Sequence, residues 1–377
     1  MRTKDLELYI HIPFCVRKCH YCDFLSFPMD NSDMASYCRQ LIKEIESWDI
    51  ISQGYRITSI FIGGGTPSVL EGLWIERILE AVFSTFSCID NLECSIEVNP
   101  GTVDENKLKV YKRAGINRIS FGLQSTNSEE LNILGRIHTY EDFLESFNLA
   151  RKIGFENINI DLMSAIPTQT LQSYETTLER ICALNPEHIS AYSLIIEEGT
   201  DFYGNKAVLS QLPSEDEDVE MYTLTNDILG KFDYHRYELS NYTKKGYECR
   251  HNIGYWRRIP YLGVGLGASS LFEEKRFSND VDFSQYLDNS QWQNKFKKAY
   301  TLTRKEQMEE FVFLGLRMIE GITKEGFVQK FGNQIEEIYE QPLKESIEEG
   351  LMEETKEGYR LTSKGYFLSN HVFVKFI

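Results

Sequence analysis

The stretch Leu6-Glu7-Leu8-Tyr9-Ile10-His11-Ile12-Pro13-Phe14-Cys15-Val16-Arg17-Lys18-Cys19-His20-Tyr21-Cys22 reads as a buried strand running directly into a loop that carries three thiols. Leu6 to Ile12 is the first of six short, β-branched or aromatic runs. The others are Ile57 to Ile62, Leu92 to Val98, Ile116 to Phe121, Asn157 to Leu162 and His188 to Leu194. Between them lie amphipathic helical patterns over Met34 to Trp48, Leu73 to Phe86, Glu105 to Ala114, Tyr140 to Ile153 and Ser173 to Leu184. Repeated β-α units predict an α/β fold with a parallel sheet. Six units predict a partial (β/α)6 barrel, with a doubly wound open sheet as the alternative.

The texture changes after Pro213. An acidic stretch, Ser214 to Asp218, leads to a helix-like segment and then to an aromatic, glycine-rich region through Ser270. From about residue 299 a separate pattern begins, with helical stretches leading to Leu351 to Glu354, a turn at Lys356, Glu357 and Gly358, and a return strand at Tyr359 to Leu361. That order resembles a winged helix. We therefore expect three parts: a barrel over 1–213, an extension over 214–298, and a winged-helix-like α+β module over 299–377. Because the tail is acid-rich, the module reads as structural or docking rather than DNA-binding.

The formal charge of -17 repels nucleic acid phosphates, and no basic stripe overrides it. The N-terminus carries Arg2, Lys4, Asp5 and Glu7 and has no apolar run before a cleavage site, so it is not a secretory signal and the expected location is the cytoplasm. No segment approaches the roughly 18 apolar residues that span a bilayer. The eight cysteines do not form a disulfide framework in a reducing compartment. Cys38, Cys88, Cys94, Cys182 and Cys249 are scattered and read as small buried hydrophobes.

Cys15, Cys19 and Cys22 are clustered. Soft thiolates suit an iron-sulfur cluster or zinc. Zinc requires a fourth ligand, for which only His11 or His20 is near, and structural zinc sites usually come as two separated pairs. Three ligands on a four-iron cluster leave one iron open, able to chelate the amino and carboxylate groups of S-adenosylmethionine and to deliver the electron that cleaves it. Gly63-Gly64-Gly65-Thr66-Pro67-Ser68 follows the second strand and exposes bare backbone to a ligand. Pro67 stands where a phosphate loop needs Gly-Lys-Ser, so the alternative is a tight strand-to-helix turn. Ser95, Glu97 and Asn99 share one strand face by period-two alternation, as do Ser120, Gly122 and Gln124, and Asn157, Asn159 and Asp161. Polar side chains at the carboxyl ends of successive parallel strands converge where barrels place their sites. Arg136 and His138 follow Gly135, and an arginine there can clamp a carboxylate or make an exposed ion pair. The run Gly263 to Ala268 matches a dinucleotide pattern only formally and reads as a close-packed turn near the barrel mouth.

Nearly the whole chain resembles the radical S-adenosylmethionine superfamily, in the group of oxygen-independent coproporphyrinogen III oxidases and their HemW-type relatives. The resemblance rests on Tyr9 to Cys15, the triglycine loop, Glu97-Val98-Asn99-Pro100, Gly122-Leu123-Gln124-Ser125, Leu134-Gly135-Arg136-Ile137-His138 and the tail module. It implies that Cys15, Cys19 and Cys22 hold a 4Fe-4S cluster, that Gly64, Gly65 and Thr66 approach the methionine part of S-adenosylmethionine, and that Glu97 contacts its ribose. It also implies that Tyr9, Tyr21, Gln124, Arg136 and Asp161 line that site. Two departures from the oxidases point to the HemW-type branch: Phe24 stands where they carry a fourth cysteine, and only eight residues precede Tyr9. His251-Asn252-Ile253-Gly254-Tyr255-Trp256 fits the HNxxYW signature of that branch, which is linked to haem.

Imidazole is a common axial ligand, and Tyr255 and Trp256 can shield a macrocycle. His251 therefore reads either as a haem ligand or as a structural histidine beside two packing aromatics, with Cys249 as a rival ligand. The resemblance implies a haem chaperone that delivers haem from a donor to respiratory enzymes. The runner-up is a coproporphyrinogen III oxidase forming protoporphyrinogen IX, against which Phe24 and the short N-terminus count. A homodimer follows from family likeness alone. The aromatic tail Phe367 to Ile377 reads as a final helix packed on the body, with peripheral contact to a membrane-bound acceptor as the other use.

Overall fold

The computed structural model of the chain describes residues 3–49, 53–290 and 292–377. All six expected strands form: β1 (Lys4–Ile12), β2 (Tyr55–Gly64), β3 (Ser87–Val98), β4 (Arg118–Gln124), β5 (Ile158–Ser164) and β6 (His188–Ser193). They lie side by side in chain order, each parallel to the next. A doubly wound sheet would reverse its strand order at a switch point. From β1 to β6 the order never reverses, as in a partial barrel. Every expected connecting helix is present, as Asn31–Glu46, Gly72–Thr85, Glu105–Arg113, Tyr140–Ile153 and Leu171–Ala183.

The strands divide their side chains by period two. Leu6, Leu8, Ile10 and Ile12 of β1, with Ile60, Ile62, Ile96, Ile119, Phe121 and Ile160, are fully enclosed in the main apolar core. That core packs against the helices and gives the sheet its outer face. The alternate residues point the other way and are mostly polar, with Phe61 an exception. Register pairs Ser59 with Glu93, Glu97 with Ser120, Ser120 with Asn159, and Asp161 with Ser190. The interior of this barrel is thus hydrogen-bonded rather than greasy, a costly choice unless the groups pair or bind something.

Beyond Pro213 the chain extends the sheet at both edges, which the sequence pattern did not predict. β7 (His235–Arg236) and β8 (Asn241–Thr243) add antiparallel strands beyond β6. β9 (Tyr261–Val264) adds a parallel strand on the far side of β1. β10 (Ser269–Phe272), β11 (Lys275–Ser278) and β12 (Tyr300–Thr301) continue that edge as antiparallel strands, giving twelve in all among the described residues. The helix Arg250–Trp256 lies between these additions. The Gly263–Ala268 run closes β9 with Gly263 and Val264 and then turns into β10 over residues 265–268. Gly265 N–H is held by Glu44 at 3.0 Å and Leu266 N–H by the Tyr37 hydroxyl at 2.9 Å.

A second apolar core gathers Met308, Val312, Phe327, Phe331, Ile335, Leu343, Leu361 and Phe373. Its three-stranded sheet has β15 (Gly358–Leu361) between β13 (Ile322–Thr323) and β14 (Met352–Glu354), and β14 and β15 fall on the two strands expected for the wing. The last helix, Ser369–Val374, packs Val372 and Phe373 into that core. No helix among the described residues is long and apolar enough to cross a membrane.

Candidate functional site

The loop after β1 is tied down on both sides. Cys15 N–H donates to Phe27 O at 3.2 Å, His20 N–H to Leu134 O at 3.1 Å, and Phe202 N–H to His20 O at 3.2 Å. Arg17 Nη2 donates to Gly135 O at 2.7 Å. The His20 ring pairs with Asp201 at 2.9 Å and stacks on Phe202. The His11 ring has Tyr9 Oη at 3.0 Å on Nδ1 and donates from Nε2 to Leu25 O at 2.9 Å. Both histidines offered for a zinc site are thus engaged elsewhere. Among the described residues no three His, Cys, Asp or Glu groups gather closely enough to hold a single metal ion.

The three thiols instead line one cavity of about 510 Å³ at the carboxyl ends of the strands. Of the residues expected there, Tyr21, Gly64, Gly65, Thr66, Glu97, Gln124, Arg136 and Asp161 all line it. The triglycine loop closes tightly on the thiols: a Cβ on Gly65 would lie 2.7 Å from Phe14 O and 2.9 Å from Cys15 Sγ. Gly64 has φ +117°, a conformation side chains rarely take. Gly64 N–H donates to Glu97 Oε2 at 3.0 Å, and Thr66 Oγ1 donates to Cys15 Sγ at 3.5 Å.

Arg136 is buried, not an exposed ion pair. It donates from Nη2 to Asn99 Oδ1 at 2.9 Å and to Gly122 O, and from Nη1 to Cys19 Sγ at 3.5 Å. A guanidinium and a hydroxyl therefore face two of the three sulfurs. Burial raises the Cys22 thiol. Burial, reinforced by the Asp161 carboxylate, pushes Glu97 up to about 8, while Gly64 N–H opposes the shift. Burial also raises Asp161, against hydrogen bonds from Asn159, Ser190 and Ser120. Gln124 sits at φ 75° and accepts a hydrogen bond from Tyr192 Oη at 3.0 Å.

Tyr9, expected in this cavity, and His251, the candidate haem ligand, lie elsewhere. Tyr9 does not line this cavity: it lines a smaller one of about 250 Å³ in the barrel interior, together with Glu97, Ser120, Asp161, His251, Asn252 and Tyr255. His251 is 1 % exposed, with Ser59 Oγ at 2.8 Å from Nδ1 and Tyr255 Oη at 3.1 Å from Nε2, and it stacks on Phe61. Both ring nitrogens are occupied, and burial followed by the Arg118 charge pushes its pKa down to about 3. An iron on His251 would have to displace Ser59 or Tyr255 from a ring nitrogen. Cys249, the rival, is fully buried and directed at Glu93 at 3.6 Å.

The site also takes in residues that the sequence reading did not single out: Ser190 and Tyr192 of β6, Asn241 of β8, and Asn252. Period-two alternation in His188-Ile189-Ser190-Ala191-Tyr192 carried the signal for the first two. Asn241 had none, since a three-residue strand has too few positions to show a period.

The residues present fit a cluster with an attached polar ligand. Arg136 Nε and Asn241 Oδ1 are buried polar atoms without hydrogen-bond partners, and both residues line the cavity with the thiols. A native interior rarely leaves a donor and an acceptor unpaired in one chamber unless a ligand takes them.

Comparison with known proteins agrees with this geometry. Residues 9–181 match the description of the radical SAM superfamily, and residues 302–368 match the HemN C-terminal domain. The chain is 37 % identical to the heme chaperone HemW of Lactococcus lactis over all of its own length and 98 % of the relative's. It is 36 % identical to HemW of Bacillus subtilis, covering 98 % of each chain, and 33 % identical to HemW of Escherichia coli, covering 100 % of this chain and 99 % of the other. The structure of coproporphyrinogen III oxidase from Escherichia coli, a radical SAM enzyme, superposes with a TM-score of 0.85 at 24 % identity, covering 99 % of this chain and 90 % of that one.

Proposed function

Because this chain belongs to the radical SAM superfamily, and within it to the family of HemW haem chaperones, we propose that it binds a 4Fe-4S cluster, S-adenosylmethionine and haem and delivers haem to respiratory enzymes. A four-iron cluster on three cysteines supplies an open iron for the amino and carboxylate groups of S-adenosylmethionine and an electron for its sulfonium. Cys15, Cys19 and Cys22 hold the cluster, with Arg136 and Thr66 donating toward two of their sulfurs. The backbone of Gly64 to Thr66 would hold the methionine part, and the unpartnered Arg136 Nε would take a carboxylate. Glu97, whose proton is held by burial at neutral pH, reaches a ribose hydroxyl. Tyr21, Gln124 and Asp161 complete the wall, and Tyr9 acts behind it.

The observation that carries this reading is the sharing of one cavity by three thiols, a buried guanidinium with an unpartnered nitrogen and a bare glycine loop. Phe24, in place of a fourth cysteine, favours haem handling over porphyrinogen turnover. We place the chaperone in the cytoplasm, with peripheral contact to a membrane-bound acceptor and a homodimer as further parts of the reading. Protein reconstituted without oxygen is offered haem and coproporphyrinogen separately. Stoichiometric haem uptake with porphyrinogen left intact is expected. Protoporphyrinogen formation with consumption of S-adenosylmethionine would replace the chaperone with the oxidase.

A further inference from the structure

A buried carboxylate behind the thiol-lined cavity reaches the segments that carry the cavity's walls. Glu130 lies in the short helix Ser128–Ile133, between β4 and the Arg136 loop, and is 2 % exposed. Its Oε2 accepts from Ser125 Oγ at 2.5 Å and from Gln169 Nε2 at 3.0 Å, and its Oε1 accepts from Ser173 Oγ at 2.6 Å. Enclosing a carboxylate is unfavourable unless hydrogen bonds replace its water. Here donors from three separate segments replace it, and a carboxylate, an acceptor on both oxygens, suits all of them.

The two donors on Oε2 adjoin cavity residues. Ser125 follows Gln124, which lines the cavity at φ 75°, a left-handed conformation that a side-chain-bearing residue keeps only where its surroundings hold it. Gln169 also donates from Nε2 to Met163 O at 3.3 Å, and Met163 of β5 is another wall of the cavity. The turn between Met163 and Gln169 carries two more left-handed residues, Ala165 at φ 56° and Thr168 at φ 68°. The helix of Glu130 itself leads to Arg136: Leu134 N–H donates to Glu130 O at 3.0 Å, and Arg136 N–H to Leu131 O at 2.9 Å. The same helix end receives the cysteine loop, through His20 N–H on Leu134 O and Arg17 on Gly135 O. One carboxylate thus ties together the end of β4, the turn after β5 and the helix that delivers Arg136. The donor on Oε1 belongs to the scaffold: Ser173 forms the capping box of the helix Leu171–Ala183 with Thr170.

We propose that Glu130 is a positioning residue of the S-adenosylmethionine site, fixing Gln124 through Oε2 and Arg136 through its own helix at the spacing the ligand meets. The inference rests on the proposed cluster and S-adenosylmethionine site and deepens it. Glu130 is not among the residues that line the cavity, so it acts through those two side chains. Removing the outer partner of a binding group commonly lowers affinity by about 10–100-fold.

The test is a titration of S-adenosylmethionine into the full-length protein reconstituted without oxygen, followed by calorimetry and by the change it causes in the electron paramagnetic resonance signal of the reduced cluster. Glu130→Met, similar in size but without an acceptor, should weaken binding by about tenfold with iron and sulfide contents unchanged. Glu130→Gln, whose amide oxygen can accept from both Ser125 and Gln169, should stay within about threefold of wild type. Ser173→Ala controls for stability: it removes the Oε1 contact and half of a capping box, so it should lower the thermal midpoint yet leave the affinity within about twofold. If Glu130→Met fails to fold, Ser125→Ala decides in its place, with an expected loss of about three- to tenfold. Wild-type affinity in the deciding variant, or an equal loss in Ser173→Ala, overturns the positioning role and leaves the S-adenosylmethionine site intact. Absence of S-adenosylmethionine binding by cluster-loaded wild type overturns that site itself.

Discussion

Gly65→Ala tests whether the glycine loop is shaped around the cluster-binding thiols. The new methyl would stand 2.7 Å from Phe14 O, 2.9 Å from Cys15 Sγ and 3.0 Å from Ser26 Cβ. Two of these neighbours are a backbone carbonyl and a Cβ, which cannot rotate away, so either the loop or the Cys15 thiol must move. Overpacking of this kind costs about 1–3 kcal/mol. At about 2–4 °C per kcal/mol for a large domain, the barrel's midpoint should fall by roughly 2–12 °C. The control is Gly230→Ala. That glycine is exposed inside the helix Glu215–Lys231, and its added Cβ meets nothing within 4 Å. Alanine there should be neutral or stabilise by about 0.4–1 kcal/mol. The assay pairs thermal unfolding with iron and acid-labile sulfide analysis after anaerobic reconstitution. Gly65→Ala should lose cluster content beyond what its lower midpoint explains. Full iron and sulfide loading with an unshifted midpoint would refute the claim that Gly65 is required by close approach to Cys15.

Arg136→Met should retain the fold but weaken S-adenosylmethionine binding by about 10–100-fold, the value of one charge-assisted hydrogen bond, measured by calorimetry on the cluster-loaded protein. Acid should destabilise the barrel through His251. Its folded pKa of about 3 lies below the unfolded 6.5, so the unfolded chain binds the extra proton. Stability is therefore full above pH 6.5 and is lost as pH falls toward 3, by about 2 kcal/mol at pH 5. His251→Gln should flatten that part of the urea-denaturation profile, and an unchanged slope between pH 6.5 and 5 would disprove it. Glu7, raised to about 9 by burial, acts in the opposite direction. The unfolded chain releases that proton above about 4.5, so Glu7→Gln should gain stability relative to wild type as pH rises from 4.5 to 9. Phe327 is fully enclosed in the second core, and Phe327→Ala should cost about 3–5 kcal/mol there. Calorimetry should show one transition lowered while the barrel's stays in place.

The alternation of β-α units and the loop Cys15-Val16-Arg17-Lys18-Cys19-His20-Tyr21-Cys22 was enough to call a six-unit parallel barrel and its three thiols. Both signals are local: a strand shows its burial by composition, and a metal-binding loop shows its donors by spacing. The polar residues at the strand ends were legible for the same reason, because period two places Glu97, Gln124 and Asp161 on one face whatever surrounds them. Direction along that face was not legible. Tyr9 alternates correctly with Ile10 yet lies one layer too deep, since depth depends on the stagger between neighbouring strands, and no single strand encodes that.

His251 shows the limit most clearly. The sequence presented a histidine beside two aromatics, equally suited to an iron and to a polar corner. Only the fold brings Ser59, from a strand 192 residues away in sequence, to its Nδ1 and turns Tyr255 back onto its Nε2. The edge strands β7 to β12 escaped notice because runs of two to four residues show no periodicity, and they form only where a finished sheet offers unpaired N–H and C=O groups. The chain by itself determined which atoms are available for chemistry. The tertiary structure decided which of them face a common space, because that depends on contacts between residues far apart in the chain.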